Sequence, residues 1–425
     1  MNPSKSGWLN EFVDYRKKAF VLNNEFSKIR MGKHPDQSFY GIIQPTGIMY
    51  GYPVNKFGFN EEHEWGDKEK IKLLLADSLI NIAELYNETT IDNEADFIDL
   101  IEDAMVNLSD FYKGVYPEIA VSTKNWLGKK KDIFSLAEQI INKRVALTVS
   151  NNANFWTDFF SRSQLFLDIY IFGQWNHTHP DKVLLDFFKG EKEELSFTSL
   201  KVLAAATHAN QHIEEEERAL FEHFISNSPL PIEKKRVAKE YFEHGLKIQE
   251  LPIQESDPWI IRKFFLELAM LTVWSDKKVD EAERAFLKSF NESLGFSDDE
   301  FEVSLIAVEG FLLQNWSQLE RLQSKIDYAS VSEEYIGHLV KMCSRHMNKL
   351  ESMITEDRQL LSAIKRGNSS ELTEDDRQMI RNKFLEILQS IPNFRVVMLP
   401  DEFLSYENLL RVIPKESISR ILAQD

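Results

Sequence analysis

The residues of this chain best suited to chemistry are carboxylates that recur in two similar stretches. The stretch from Ala209 reads ANQHIEEEERALFEHF, and the stretch from Ser275 reads SDKKVDEAERAFLKSF, sixty-six residues later. Such acids could form a pair of loops that bind a hard divalent cation through oxygen ligands. They could instead cap the helix that follows each turn, because N-cap and first-turn acids satisfy backbone N–H groups at a helix start. The residues alone leave both interpretations open.

Each acidic turn is preceded by an apolar stretch, LKVLAAATHA in the first copy and LELAMLTVWS in the second. The repeated unit is therefore helix, acidic turn, helix, and such a repeat predicts two halves that share one core. The two units resemble the halves of a TerB-type domain, a helical family first associated with tellurite resistance. The second copy is the closer match, because the first has Asn210 in place of the family's Asp, and both lack the turn glycine.

The resemblance to this family implies a candidate divalent-metal site. Its five carboxylates are Glu214, Glu217, Asp276, Asp280 and Glu283. An EF-hand loop is excluded, because the overlay places Trp274 at a ligand position and tryptophan does not coordinate calcium. The competing interpretation makes Asp280 an N-cap and Glu283 its capping-box partner, where acids also oppose the positive end of the helix dipole. We therefore expect no cofactor, with a divalent cation as the open alternative.

The C-terminal sixty residues carry a second resemblance. The run G-x4-L-T-x2-D-R, from Gly367 to Arg377, leads through LEILQSIPNF to MLP, and a later proline stands at Pro414. This order resembles the LETM-domain family, whose mitochondrial members are inner-membrane ion-exchange proteins with a ribosome-facing helical domain. A LETM-related bacterial group described as biofilm-associated is similar to the chain as a whole.

The C-terminal segment departs from the membrane members of that family, in which it is an apolar span. Here the stretch from Arg395 to Arg411 carries five charged residues: Arg395, Asp401, Glu402, Glu407 and Arg411. Each charge at the centre of a bilayer costs about 2.5–3.5 kcal/mol. We therefore expect no transmembrane span and no transport function.

The charge balance of the chain is acidic, since 50 basic against 68 acidic residues give −18. Such a balance disfavours specific or general nucleic-acid binding. The segment from Lys341 to Arg395 is an exception, with ten Lys and Arg against eight Asp and Glu, a net of +2. It is the predicted docking face for a partner. The candidate partner-binding residues are Arg377, Arg381, Arg395 and Arg411.

Helices are predicted to position all of these residues. Apolar residues keep a helical spacing from Ile71 to Leu85, and no alternating strand pattern follows residue 70. The segment 41–66, with five glycines and two prolines, is the one candidate for non-helical structure, either a loop or a short hairpin. Asn154 to Trp175 predicts a partly buried core helix, since charges interrupt its aromatic run. We therefore expect an all-α, multi-helix fold.

The predicted organisation has three regions, an N-terminal helical region over 1–190, a TerB-like domain over 196–313 and a LETM-like region over 320–425. The motifs typical of nucleotide, hydrolase, zinc-protease and thiol-redox sites are absent from the sequence. One cysteine and a polar N-terminal stretch favour the cytoplasm.

The predicted function is that of a non-enzymatic interaction or scaffold protein. Its partner would be a protein or the ribosome, with peripheral contact at the inner face of a membrane as a further option. The alternative is a divalent-metal-responsive TerB-like domain.

Overall fold

The computed structural model describes residues 1–22, 35–53, 57–87, 91, 93–124, 128–149, 155–178, 182–209, 213, 215–274, 279–318, 328–367, 372–391, 406–413 and 419–420. Over these residues the protein consists of seventeen α-helices joined by turns, and the only strand-type pairing is a single bridge between Lys124 and Lys130. The predicted all-α, multi-helix fold is confirmed. Within the same ranges, no helix combines the length and the apolar character that a membrane crossing requires.

The chain forms two compact units. Unit 1 contains Met1–Pro252 and Ser256–Leu268, and unit 2 contains Ile253–Glu255 and Ala269–Asp425. The division falls within one helix, Trp259–Trp274. The first acidic-turn copy belongs to unit 1, whereas the helix after the second turn belongs to unit 2. The three regions expected from the sequence stay a prediction.

Within the described residues, unit 1 contains nine complete α-helices and the first part of a tenth. They are α1 (Trp8–Leu22), α2 (Pro35–Ile43), α3 (Asp67–Leu85), α4 (Glu94–Val115), α5 (Ile133–Ala146), α6 (Phe155–Thr178), α7 (Lys182–Thr207), α8 (Glu215–Asn227), α9 (Ile232–His244) and α10 (Trp259–Trp274). The amphipathic helix expected from Trp8 to Arg30 begins at Trp8, and its part beyond Leu22 lies outside the described residues.

Helix α3 is the centre of unit 1. Every residue from Ile71 to Glu84 is buried, and the helix packs against α2, α4, α5 and α6. A helix covered on all sides needs apolar residues around its whole circumference, which is why its apolar residues are not confined to one stripe. The aromatic helix α6 is buried from Trp156 to Phe172 except at Ser161, so the predicted core helix is confirmed.

The described part of segment 41–66 forms short 3₁₀ turns over Gln44–Thr46, Ile48–Tyr50 and Glu62–Glu64. The hairpin alternative is therefore wrong for these residues. The turn Ile48–Tyr50 packs against α6 in the core. Gly51 follows it with φ +65°, and a Cβ there would lie 2.2 Å from the carbonyl oxygen of Phe159. Only glycine permits this close approach of two backbones.

The described part of unit 2 contains the end of α10 and seven further α-helices. They are α11 (Glu281–Ser293), α12 (Asp298–Gln314), α13 (Tyr328–Arg345), α14 (Met347–Glu356), α15 (Arg358–Gly367), α16 (Glu374–Gln389) and α17 (Tyr406–Val412). Helix α13 packs against α12, α14 and α17, and α14, α15 and α16 pack against one another. Apolar side chains from each of the last three helices, such as Ile354, Leu360 and Phe384, are fully buried.

Candidate interaction face of unit 2

The acidic turn before α11 is a helix cap. Asp280 Oδ1 accepts a hydrogen bond from the backbone N–H of Glu283 at 2.9 Å, and Glu283 Oε2 accepts one from the N–H of Asp280 at 2.7 Å. Glu283 is only 3% exposed, and Asp280 is exposed at the start of the helix. The capping box predicted from the sequence is therefore confirmed.

The remaining members of the candidate metal site are not described. Glu214 and Asp276 lie outside the described residues, and so does the side chain of Glu217. Within the part of the chain that the structure describes, no group of three or more His, Cys, Asp or Glu is arranged to hold a metal ion. The five-carboxylate site stays a prediction.

Helix α15 begins at a cap that also ties it to its neighbour. Asp357 Oδ1 accepts hydrogen bonds from the backbone N–H groups of Gln359 and Leu360, each at 3.1 Å. Its other oxygen lies 3.1 Å from Lys383 Nζ on α16. These backbone hydrogen bonds, with the nearby ammonium, lower the pKa of Asp357. The start of α15 is thus fixed against α16.

The two faces of α15 differ in burial and in charge. Leu360, Ala363 and Ile364 point into unit 2 and are buried. The opposite face lines an open groove of about 410 Å³, which we name the α15 groove; its lining residues are Arg358, Leu361, Ser362, Lys365 and Arg366. These residues follow the spacing i, i+3, i+4, i+7, i+8, which places them along one side of the helix. The described lining residues comprise three cations, one leucine and one serine.

The ends of α15 and α16 are joined by a further ion pair. Arg366 Nη2 lies 2.7 Å from Asp376 Oδ1. Asp376 is also the capping-box partner of Thr373, as predicted, and its Oδ2 accepts the Thr373 hydroxyl at 2.8 Å. The hydroxyl hydrogen bond is the main reason why the pKa of Asp376 is lowered. Arg366 therefore lines the groove and also links the end of α15 to the start of α16.

The four predicted partner-binding arginines are placed differently from one another. Arg377 is exposed and Arg381 half-buried, both on α16. Arg411 on α17 forms an ion pair with Glu333 on α13. Arg395 lies outside the described residues. The structure thus places two of the four on the helix that packs against α15.

The predicted docking segment also contains cations that hold unit 2 together. Lys341 pairs with Glu302 and Arg345 pairs with Asp299, so both tie α13 to α12. A net charge counted along the sequence does not separate such cations from those of the α15 groove. Sequence reasoning missed Arg358 and Lys365, although the helical spacing of the stretch RQLLSAIKRG carries the signal.

Two clusters of charged residues in unit 1 are closed to solvent. Asp168 on α6 accepts hydrogen bonds from the hydroxyls of Tyr112 and Tyr116 at 2.9 and 2.6 Å, and from Arg144 Nε at 2.5 Å. Burial, followed by the charge of Asp168, raises the pKa of both tyrosines far above their ordinary value. Because Asp168 is only 1% exposed, this cluster stabilises the packing of the helices that contribute to it and offers no surface to a ligand.

A second closed cluster of unit 1 surrounds Glu267 on α10. The hydroxyls of Tyr40 and Tyr50 donate to its two oxygens at 2.6 and 2.9 Å, and Lys263 Nζ lies 3.8 Å away. The side chains of Lys263 and Glu267 are each 1% exposed. The paired charges hold the 3₁₀ segment against α10, and the basic groove of unit 2 is consequently the stronger candidate for binding.

No family model matches this chain, and no curated protein or solved structure matches it either. The resemblances to the TerB and LETM families therefore stay predictions that rest on the motifs quoted from the sequence.

Proposed function

We propose that this chain is a non-enzymatic interaction protein of the cytoplasm that binds a partner protein through α15 and α16 of unit 2. The observation that carries the proposal is the α15 groove, whose described lining includes Arg358, Lys365 and Arg366. On a chain of net charge −18, such a cationic surface selects and orients an acidic partner.

Helix α16, which packs against α15, carries two of the predicted partner-binding arginines. Glu374, Asp375 and Asp376 occupy its first turn, where they oppose the helix dipole. Arg377 and Arg381 follow on the next turn, and both retain at least partial exposure. The similarity to ribosome-facing LETM domains makes the ribosome, or the inner face of a membrane, the alternative destination to be tested.

The test is capture of the native partner on the immobilised full chain from cytosolic, ribosomal and membrane fractions. Replacement of Arg377 and Arg381 by Glu should reduce capture at least several-fold, because charge reversal at a rim turns attraction into repulsion. The melting temperature should stay the same, since neither side chain is fully buried.

A matched control reverses two exposed lysines elsewhere, Lys68 on α3 and Lys288 on α11. It changes the net charge by the same amount and should leave capture unchanged. Equal capture by the wild type and the Arg377→Glu, Arg381→Glu variant would refute the proposal.

A further inference from the structure

A histidine and a buried carboxylate connect α13 to α12 in unit 2. His338 Nδ1 on α13 lies 2.8 Å from Glu309 Oε2 on α12. The side chain of Glu309 is 3% exposed, and that of His338 is 19% exposed. Histidine is the side chain whose ordinary pKa lies closest to neutrality, so this contact gains or loses a positive charge in that range. The contact therefore differs from ion pairs of lysine or arginine, which keep both charges at neutral pH.

The two other carboxylates whose charges act on this histidine have cations that do not titrate near neutral pH. Glu302 on α12 pairs with Lys341 on α13. Glu334 on α13 pairs with Arg284 on α11 at 3.0 Å. The buried carboxylate of Glu309 relies instead on its hydrogen bond to the histidine, and the charge of Arg284 has a smaller effect on its pKa.

The other ionisable groups described on α13 and on the helices packed against it do not replace the histidine. Burial, followed by the charge of Glu309, raises the pKa of Tyr335 well above 10, so this phenol stays neutral. The side chain of Glu407 on α17 lies outside the described residues. The remaining charged groups contact one another or neighbouring polar groups: Arg345 contacts Asp299, Lys349 the Ser390 carbonyl, Glu351 Arg420, Glu356 Ser352, and Arg411 Glu333.

The free energy of the contact depends on the proton of His338. Burial lowers the pKa of His338, but the hydrogen bond to Glu309 and the charges of the nearby acids outweigh burial and raise it above 6.5. Burial also raises the pKa of Glu309, which the histidine only partly opposes. The stabilisation from His338 is therefore complete below about 6.5 and is lost as the pH rises through its folded pKa. Above that pH, a buried carboxylate remains without a charged hydrogen-bond partner, which is unfavourable.

We infer that His338 and Glu309 form a proton-dependent latch, which holds α13 against α12 when the imidazole is protonated and loosens unit 2 when the proton is lost. Helix α13 also packs against α14 and α17, so a change at this contact affects more than one helix pair of the unit. The inference concerns the regulation of unit 2 and does not depend on which partner this unit binds.

The first experiment compares the wild type with His338→Gln by hydrogen exchange of the α13 amides in the full chain. Glutamine can still donate an N–H to Glu309 but carries no charge. At pH 6 the variant should exchange severalfold faster than the wild type, because only the wild type has the charged contact. At pH 9 the difference should shrink, since the wild-type imidazole is then neutral as well. Comparison at the same pH cancels the intrinsic dependence of exchange on pH.

The matched control is His346→Gln, at the turn between α13 and α14. Burial and the charges of Lys349 and Arg345 lower the pKa of His346, which is the opposite direction. Protonation of His346 therefore costs stability in the wild type, and this variant should exchange no faster than the wild type at pH 6.

The second experiment is an NMR titration of the His338 imidazole in the wild type and in Glu309→Gln. Loss of the carboxylate should lower the pKa of His338, because burial then meets less opposition. This titration remains decisive if His338→Gln does not fold. The inference is overturned if His338 titrates alike in both proteins, or if His338→Gln changes exchange by the same factor at pH 6 and pH 9.

Discussion

Ion pairs in which both side chains are nearly buried occur in unit 1, whereas each described ion pair of unit 2 has at least one side chain that is 19% exposed or more. In unit 1, Arg144 and Asp168 are 11% and 1% exposed at their side chains, and two tyrosine hydroxyls complete their hydrogen bonding. In unit 2, Arg284 and Glu334 form an ion pair at 3.0 Å while their side chains are 50% and 42% exposed. The first pair is held in one geometry, and the second remains largely hydrated.

The difference separates structural charge from charge that can take part in binding. A buried ion pair compensates two desolvated groups, so the loss of one partner leaves the other uncompensated. An exposed pair contributes little, because water and salt screen it. Exposed charges of unit 2, such as Arg284 and Glu334, can therefore be altered at small cost to stability. Four predictions test this comparison.

The largest effect is expected from Asp168→Ala in unit 1. It leaves Arg144 buried without its carboxylate and the Tyr112 and Tyr116 hydroxyls without their acceptor. We expect the free energy of unfolding, measured by urea denaturation, to fall by about 3–5 kcal/mol. Replacing Arg144 by Met together with Asp168→Leu should recover much of this loss, because no charge then remains unpaired.

The matched control for that change is Asp186→Ala, whose carboxylate is 84% exposed and 3.7 Å from Lys189. Its cost should stay below about 0.5 kcal/mol. Similar costs for the two aspartates would show that burial does not separate the two classes of charge.

The second effect concerns pH. Burial raises the pKa of Glu191 on α7 to about 7 from 4.5, and the Gln174 amide only partly opposes this. Because the folded pKa is the higher one, the folded state binds the proton more tightly, and stability falls as the pH rises from about 4.5 through 7. Glu191→Gln should remove this fall and raise the free energy of unfolding at pH 8 on the order of 1–3 kcal/mol.

Urea denaturation at pH 4, 6 and 8 checks the Glu191 prediction. The variant and the wild type should agree best at the acidic end, where the carboxyl is protonated in both states. The exposed Glu292 on α11 provides the control, and Glu292→Gln should leave the pH dependence as it is. An unchanged pH profile in Glu191→Gln would contradict the assignment.

The third effect is a helix cap in unit 2. Asp280→Ala removes the side-chain acceptor for the Glu283 N–H and should cost about 1 kcal/mol, within a range of about 0.5–2. Asp280→Asn should cost little, because asparagine caps a helix as well as aspartate does. Thermal unfolding of the three proteins is the measurement, and a large loss in Asp280→Asn would point to a role for its charge.

Adding calcium distinguishes helix capping from cation binding by the acidic turns. If the acidic turns only start helices, added Ca²⁺ leaves the melting temperature of the wild type unchanged. If they bind the ion, Ca²⁺ raises it by mass action, and the Asp276→Asn, Asp280→Asn variant loses the rise. The second outcome would support the metal-responsive alternative.

The smallest effect is expected from Arg284→Ala in unit 2. Its exposed pair with Glu334 should contribute about 0.2–1 kcal/mol, and less at high salt. A double-mutant cycle with Glu334→Ala, repeated in 0.1 and 1 M salt, measures the coupling between the two side chains. A coupling energy as large as the loss of unfolding free energy in Asp168→Ala would contradict the distinction between the buried ion pair of unit 1 and the exposed one of unit 2.

Local features of this protein followed from the sequence. The all-α class and both capping boxes, Asp280 with Glu283 and Thr373 with Asp376, were predicted at the correct residues. Their determinants lie within a few positions of each other along the chain, because capping and helical periodicity act over one or two turns.

Contacts between distant residues did not follow from the sequence. The charges within the aromatic stretch predicted a core helix that stays out of the membrane, but did not identify Arg144 or the tyrosines that Asp168 meets across α4 and α5. A cation of the segment from Lys341 to Arg395 could bind a partner or tie two helices together, and charge counting treats both alike. None of the four predicted arginines is among the described residues that line the α15 groove.

The sequence by itself determined where α1, α11 and α16 begin, which residues cap the last two of these helices, and that the chain carries an excess of acids. Only the tertiary structure decided which charges are desolvated and paired and which line the α15 groove. The physical reason is that the free-energy cost of burying a charged group depends on how much water it loses. That loss depends on helices brought together from remote parts of the chain.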